Sequence, residues 1–239
     1  MTEAVIAASG TSAYWYLTRA TGTVALLLLT ASIVLGVVDV RRWSSRRWPR
    51  FVIDTLHRNA ALLAMVFISL HILTSVLDSF APISLADAIV PFGGSYRPFW
   101  LGLGALSFDL LIAIVVTSLL RARIGVGTWR AVHWLVYASW PIALLHSLGT
   151  GSDVSHTWQL AISVACIAAV LIAVLARVLD HAAATPAARN AALGGAGAFS
   201  LFLALWLPSG PLGSDWARRS GTPTSLLPHA HSPHAGAKR

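Results

Sequence analysis

The sequence contains few charged residues, and this scarcity excludes most classes of soluble protein. Only 11% of the 239 residues are charged, whereas 56% are hydrophobic and the mean hydropathy is +0.70. Soluble globular domains have about 25% charged residues. The composition therefore predicts an integral membrane protein. The net charge of +8 does not indicate nucleic-acid binding, because the arginines cluster between apolar runs, where membrane topology explains them.

Cysteine is almost absent, and the N-terminus lacks basic residues. Cys166 is the one cysteine and lies within an apolar run, so we expect no intrachain disulfide and no cysteine-ligated metal site. The first residues, MTEAVIAASGTSAYWYL, lack the basic region of a signal peptide, so we predict no cleavage there. Residues 1–13 are assigned as a short N-terminal segment.

Six apolar runs are long enough to cross a bilayer as helices. A bilayer core of about 30 Å takes roughly 20 helical residues, and a helix satisfies its own backbone polar groups in lipid. The sequence predicts an all-α bundle of six transmembrane helices within residues 14–208, near 15–38, 54–77, 99–120, 131–149, 158–179 and 190–208. The composition then shifts to Pro, Gly, Ser and His, so residues 209–239 are predicted to form a flexible, solvated tail.

Arginines lie mainly in alternate connections and predict the orientation in the cell membrane. The first, third and fifth connections hold most of them, whereas the second and fourth hold acidic residues and a single arginine. By the positive-inside rule, the odd-numbered connections are cytoplasmic and both termini are extracytoplasmic. The arginines concerned are Arg41, Arg42, Arg46, Arg47, Arg50, Arg58, Arg121, Arg123, Arg130, Arg177 and Arg189.

Four histidines lie within two of the apolar runs. His57 and His71 are fourteen residues apart on the second predicted helix, and His133 and His146 are thirteen apart on the fourth. Intramembrane histidines are functional candidates because an unsatisfied imidazole is costly in hydrocarbon. Both helices run from the cytoplasm outward, so His57 can pair with His133 at an inner level and His71 with His146 at an outer level. A rise of 1.5 Å per residue separates the levels by roughly 20 Å.

The two levels leave room for two haems, each ligated by two imidazoles with no open position. Such ligation suits electron transfer better than binding of a gas. A mononuclear metal site that uses all four histidines is less favoured, because histidines roughly 20 Å apart along one helix cannot share one ion. A lone membrane histidine would more simply form an interhelical hydrogen bond, but four in a matched layout favour cofactor ligation.

The direction in which each histidine faces depends on the regularity of its helix. At about 100° per residue, His71 returns to within roughly 40° of His57, whereas His146 lies roughly 140° away from His133. Pro141 lies between this second pair and cannot donate to the Tyr137 carbonyl, so we expect a kink or a wide turn there.

Arginines near the histidines are candidates for binding haem propionates. Arg58 follows His57, and Arg130 precedes His133 by three residues, so each can offer a bidentate fork to a carboxylate at the inner level. The alternative is that both arginines only set the topology. Arg19 and Arg97 are weaker candidates for the outer level.

The two histidine helices resemble the ferric reductase-like transmembrane domain of iron reductases, NADPH oxidases and the haem membrane subunit of bacterial methionine-sulfoxide reductase systems. The resemblance rests on the His-x13-His and His-x12-His spacings and on TWRAVHWLVY, which is similar to the family's W-R-x-x-H-x-x-x-Y run. The run YLTRATGTVALLLLTASIVLGV resembles actinobacterial members, and the whole resemblance spans about residues 14–180. It implies two b-type haems, with inner ligands His57 and His133 and outer ligands His71 and His146.

The chain departs from eukaryotic members of that family, which carry a flavin and nicotinamide domain. No G-x-G-x-x-G motif follows a strand, so we expect this chain to bind neither cofactor. The sequence therefore predicts an oxidoreductase component that passes electrons from a cytoplasmic flavoprotein or FMN-binding partner to ferric iron or an outer-face acceptor. A quinol-oxidising haem subunit that supplies an outer-face reductase is the alternative. A non-redox transporter or assembly protein with structural histidines is the alternative of another class.

Overall fold

The described part of the chain is entirely helical apart from its loops. The computed structural model describes residues 12–40, 49–151, 153–179 and 185–227, and no strand occurs among them. The first eight helices are α1 Ala13–Val40, α2 Arg50–Leu77, the short α3 Leu85–Ile89, α4 Pro98–Leu119, α5 Arg121–His133, α6 Val136–Thr150, α7 Thr157–Val178 and α8 Pro186–Ser209. A short helix α9 at Trp216–Arg219 and a 3-10 turn at Thr224–Leu226 follow. The predicted all-α class is confirmed.

Some of the predicted features lie outside the described residues. These are the first segment (residues 1–11), most of the arginine-rich first connection (residues 41–48) and the histidine-rich end of the predicted tail (residues 228–239).

Five helices are long and apolar enough to cross a membrane. They are Ala13–Asp39, Phe51–Leu77, Pro98–Leu119, Thr157–Val178 and Pro186–Ser209, and they correspond to five of the six predicted spans. Most of the surface of the second and last of these segments faces away from the protein, because only 11% and 6% of their most apolar stretches are buried. Apolar side chains on such faces are solvated by lipid, and the chain is a multi-pass membrane protein.

The fourth predicted span is divided, so six uninterrupted spans are not confirmed. Instead of one helix over 131–149, α5 ends at His133, a turn follows at 134–135, and α6 begins at Val136. The fifteen residues of α6 extend roughly 22 Å at 1.5 Å per residue, which is shorter than a bilayer core. Within α5, Gly125 has a φ of 81°, which favours glycine and breaks the helix into two pieces.

The buried core lies where α1, α2, α6 and α7 meet. Ala64 of α2 and Leu144 of α6 are fully buried, and Leu148 is 1% exposed. They pack with apolar side chains of α1 and α7, including Leu26, Leu29, Ile33, Cys166 and Val170. Two of the three histidine-bearing helices, α2 and α6, therefore contribute to the same core.

Part of the segment predicted as a flexible tail packs against the outer end of the bundle. Trp216 of α9 donates its Nε1–H to the carbonyl oxygen of Gly149 at 3.0 Å. The Trp216 ring also lies 5.2 Å from that of Trp100 and 5.9 Å from that of Trp206. The composition of this segment predicted flexibility and did not indicate that its tryptophan, Trp216, has a buried hydrogen-bond acceptor in Gly149.

Candidate functional site

The structure brings the four predicted histidines together in two pairs, one at each level. At the inner level the ring centres of His57 and His133 are 6.2 Å apart, with an angle of 73° between the ring planes. At the outer level the ring centres of His71 and His146 are also 6.2 Å apart, at 85°. The two levels thus have nearly the same geometry although the helices that form them differ.

Three of the four imidazoles are oriented by backbone carbonyl groups of a neighbouring helix. The partners lie at 2.8 to 2.9 Å: His57 Nδ1 on Ser32, His71 Nδ1 on Thr18 and His146 Nδ1 on Trp100. A carbonyl oxygen can only accept, so each Nδ1 is protonated and donates. Each Nε2 is then left with a free lone pair, the tautomer that a metal ligand requires.

His133 is held differently from the other three. Its Nδ1 atom is buried, and no hydrogen-bond partner occurs for it among the described residues. Its ring packs beside Trp129, with 5.1 Å between ring centres and 30° between planes. Trp129 in turn donates its Nε1–H to Ser118 Oγ at 3.1 Å and lies 4.4 Å from the guanidinium carbon of Arg121. Aromatic packing therefore takes the place of a carbonyl partner at this ligand.

The spacing within each pair fits one metal ion held between two imidazoles. A metal–nitrogen bond of about 2 Å on each side, with about 1.1 Å more from Nε2 to each ring centre, separates the ring centres by about 6.2 Å. Both pairs have this separation. No group of three or more His, Cys, Asp or Glu side chains able to hold a metal occurs in the described ranges. The separation of the ring centres is compatible with two-histidine ligation at each level.

Glycines give the rings the space they occupy. On α1, a Cβ atom added to Gly22 would lie 2.9 Å from His71 Cε1, and one added to Gly36 would lie 3.1 Å from His57 Cε1. On α4, a Cβ atom added to Gly104 would lie 2.5 Å from His146 Nδ1. Real Cβ atoms essentially never approach within 3.0 Å of another heavy atom, so residues 22 and 104 must be glycine for these ring positions.

These glycines were not predicted from the sequence, although the sequence contains a signal for two of them. Gly22 and Gly36 are fourteen residues apart on α1, the same spacing as His57 and His71 on the antiparallel α2. Because the two spacings are equal, Gly22 lies beside His71 and Gly36 lies beside His57.

The turn before α6 reorients His146 relative to His133. Three i to i−3 hydrogen bonds occur there, from Leu135 N to Val132 O, from Tyr137 N to Trp134 O and from Ala138 N to Leu135 O, at 2.9 to 3.1 Å. A 3-10 turn advances about 120° per residue instead of 100°. The extra rotation reduces the 140° mismatch of an ideal helix. This tighter winding precedes Pro141, the residue at which the sequence predicts a kink or a wide turn.

A cavity of about 280 Å³ opens beside the outer pair. His71, His146, Gly22 and Gly104 line it, together with polar groups at its rim. Arg19 forms an ion pair with Asp153 there and lies over the Trp15 ring, 3.7 Å from its centre. Gln159, which is 6% exposed, also lines the cavity, and its Oε1 atom has no hydrogen-bond partner among the described residues.

Arg58 and Arg130 are not brought into a closed site. Both side chains are exposed, Arg58 on α2 directly after His57 and Arg130 on α5 three residues before His133. Their positions at the inner end of the bundle are compatible with contact to a group held between His57 and His133. Arg19 and Arg97, by contrast, already have protein partners.

Trp140 lies between His133 and His146 in the sequence and was not singled out from it. It lies seven residues after His133 and six before His146 on α6, and it is 4% exposed. Its Nε1–H donates to Thr30 Oγ1 of α1 at 3.0 Å. A buried aromatic ring with a satisfied polar group therefore joins α6 to α1 within the core.

The apolar helices make the chain a multi-pass helical membrane protein, and its four histidines form one pair at each of two levels. The family described as "Ferric reductase like transmembrane component" matches residues 21–144, a range that includes His57, His71 and His133 and ends two residues before His146. The chain belongs to this family.

Among characterised proteins, the chain is similar to the protein-methionine-sulfoxide reductase heme-binding subunit MsrQ of Ralstonia nicotianae. The two are 30% identical over 135 residues, which is 55% of this chain and 57% of the relative. The match thus spans little more than half of the relative's length. No solved structure matches the chain.

Proposed function

We propose that the chain is a transmembrane electron-transfer cytochrome that holds one b-type haem at each histidine level. The observation that carries this proposal is the 6.2 Å separation of the ring centres in both pairs. A second support is the carbonyl bonds at Nδ1 of three histidines, which leave Nε2 free as a ligand. The similarity to a heme-binding subunit supports the same ligand class.

The residues present fit haem in number and chemistry. His57 and His133 would hold the inner haem, and His71 and His146 the outer haem. Haem supplies one-electron redox chemistry when bound. Two imidazole ligands leave no open position for a gas, so the site is suited to electron transfer. Arg58 and Arg130 at the inner end would pair with propionates through bidentate hydrogen bonds.

The remaining residues of the site hold the ligands and exclude water. Gly22, Gly36 and Gly104 let the neighbouring helices approach the imidazoles closely. Thr18, Ser32 and Trp100 offer the carbonyl groups that fix the tautomer, an outer-shell role typical of metal-ligating histidines. Trp140 is buried in the core beside Thr30 and would help to keep the segment between His133 and His146 apolar.

Electrons would cross from the cytoplasmic face to the outer face, under the orientation that the arginines predict. A hydride donor delivers two electrons whereas each haem accepts one, so a separate cytoplasmic flavoprotein or FMN-binding partner would stand between them. Ferric iron or an outer-face redox partner would be the acceptor. The enzyme is then an assembly in which this chain is the membrane component.

The second candidate is a haem subunit that oxidises membrane quinol and supplies an outer-face reductase. The name of the Ralstonia relative, a heme-binding subunit of a reductase, favours it. A structural role of the histidines in a transporter has less support, because in both pairs the ring centres are 6.2 Å apart, the separation that fits a metal ion bound between two imidazoles.

Haem stoichiometry of the purified protein tests the proposal. A pyridine haemochrome assay should return about two b-type haems per chain, with the spectrum of low-spin, six-coordinate iron. The double variant His57→Ala/His71→Ala, which removes one ligand from each level, is the matched control and should retain none at full occupancy. A wild-type chain that is purified folded from haem-replete membranes and contains no haem would refute the proposal.

A further inference from the structure

Arg97 is a buried cation at the outer end of the bundle. It precedes α4 in a left-handed backbone conformation, with a φ of 42°, and the residue is 8% exposed. Its Nη1 donates to the carbonyl oxygens of Gly149 and Thr150, both at 3.1 Å, and its Nε donates to Thr222 Oγ1 at 2.9 Å. Its backbone N–H also bonds to the Gly221 carbonyl at 3.0 Å. These contacts hold the guanidinium in one place.

The carbonyl groups that Arg97 binds end the helix that carries His146. The C-terminus of a helix has a partial negative charge, which a cation stabilises. Thr150 connects directly to the ligand, because its Oγ1 donates to the His146 carbonyl at 2.7 Å. His146 is three residues before Gly149, so the guanidinium lies about one helical turn from the outer pair.

The other charged groups at this level are paired or solvated. Arg19 is neutralised by Asp153, which is 7% exposed. The carboxylates of Asp78 and Asp87 line the outer cavity but are only half-buried, so water screens them. At the inner level, Arg58 and Arg130 are exposed. Arg97 is therefore the buried charge without a counter-ion among the described residues near either pair.

We infer that Arg97 is a positioning residue that raises the reduction potential of the outer haem above that of the inner haem. The inference rests on the proposed function. A haem carries one more positive charge when its iron is oxidised, and a buried cation nearby destabilises that state because the low dielectric screens it little. A higher potential at the outer level directs electrons outward, in agreement with the arginine-based topology.

A spectroelectrochemical titration of the purified protein tests this role. The outer haem is identified as the component that is missing in His71→Ala. In Arg97→Gln, the ratio of reduced to oxidised outer haem at a fixed potential should fall about tenfold, a shift of about 59 mV for one electron. The inner haem should keep its midpoint. Arg97→Lys retains the charge and should restore most of the potential. Arg218→Gln removes a charge from an arginine whose side chain is 73% exposed and should shift neither haem.

A second pair of variants keeps the arginine and its fold. Thr222→Asp places a carboxylate beside Arg97 Nε, neutralises the guanidinium and should lower the outer potential as Arg97→Gln does. Thr222→Asn is the neutral control and should not. If both haems are present but neither Arg97→Gln nor Thr222→Asp shifts the outer midpoint, or if both haems shift equally, the inference fails while the proposed function stands. A wild-type protein without haem would instead show that the proposed function itself is wrong.

Discussion

Gly104 of α4 lies so close to His146 that a Cβ atom at residue 104 would be 2.5 Å from the His146 Nδ1 atom. The same nitrogen bonds to the carbonyl oxygen of Trp100, one turn earlier on α4. One helix therefore supplies both the acceptor and the space for a histidine on another helix. Neighbouring helices hold three of the four histidines by this combination of carbonyl and glycine.

The first prediction concerns this combination. Gly104→Ala should displace the His146 ring, break its bond to Trp100 and cost about 1–3 kcal/mol, as overpacking of a well-packed site does. We expect the outer haem to be lost or to become able to bind carbon monoxide, with the inner haem unchanged in the optical spectrum.

Gly194→Ala is the matched control, because a Cβ atom at Gly194 of α8 would meet no atom within 4 Å among the described residues. It should leave both haems intact. A Gly104→Ala protein with both haems in their native ligation would contradict the close contact on which this prediction depends.

The second prediction is that ligand loss is specific to one level. His71→Ala and His146→Ala should each remove the same redox component, and His57→Ala and His133→Ala the other. The ring pairs at 6.2 Å are the physical reason, since each iron would take one imidazole from α2 and one from α5 or α6. Redox titrations of the four variants measure this. Loss of the same component in His71→Ala and His133→Ala would show that the pairing is wrong.

The third prediction concerns Trp140, which lies between His133 and His146 in the sequence. Trp140→Phe removes the indole N–H that donates to Thr30 and part of the ring that fills the core, and we expect a loss of about 1–3 kcal/mol from these two effects. Both haems should remain bound, but reduction of the outer haem should lag behind that of the inner haem. Stopped-flow spectra at the haem absorption band resolve the two phases.

Trp158→Phe serves as the control for Trp140, because Trp158 of α7 is 46% exposed and lies at the start of its helix. It should change neither stability nor the reduction phases. Equal rates in Trp140→Phe and wild type would mean that the residue only packs the core.

Much of the fold and the identity of the histidines follow from elementary patterns. The apolar runs can be read from composition, and five helices of the structure correspond to them. The pairing of the four histidines can be read from their spacing along the helices. The rotation of His146 cannot, because it depends on three hydrogen bonds of a local 3-10 turn before Pro141. A prediction that assumes 100° of rotation per residue cannot anticipate the extra rotation of that turn.

The outer end was the least predictable part for a related reason. Arg97 and Trp216 lie 119 residues apart in the sequence, yet both donate to the carbonyl of Gly149. A segment rich in Pro, Gly and Ser indicates flexibility by composition. Its position is instead determined by hydrogen bonds from Trp216 to Gly149 and from Arg97 to Thr222, and by packing of the Trp216 ring against Trp100 and Trp206. Long-range partners of this kind have no period that a sequence reveals.

The last prediction concerns the electron donor. The described residues contain no strand, and the sequence has no G-x-G-x-x-G motif, so we expect the purified chain not to oxidise NADPH. A hydride carries two electrons and each haem takes one, so a flavin must mediate between them. When NADPH alone is mixed with the protein in a stopped-flow instrument, the haem absorption band should not change within minutes. Addition of a flavin reductase, or of a reduced quinol analogue if the second candidate function holds, should then reduce the haems. Rapid reduction by NADPH in a flavin-free sample would overturn the claim that the donor site lies on another protein.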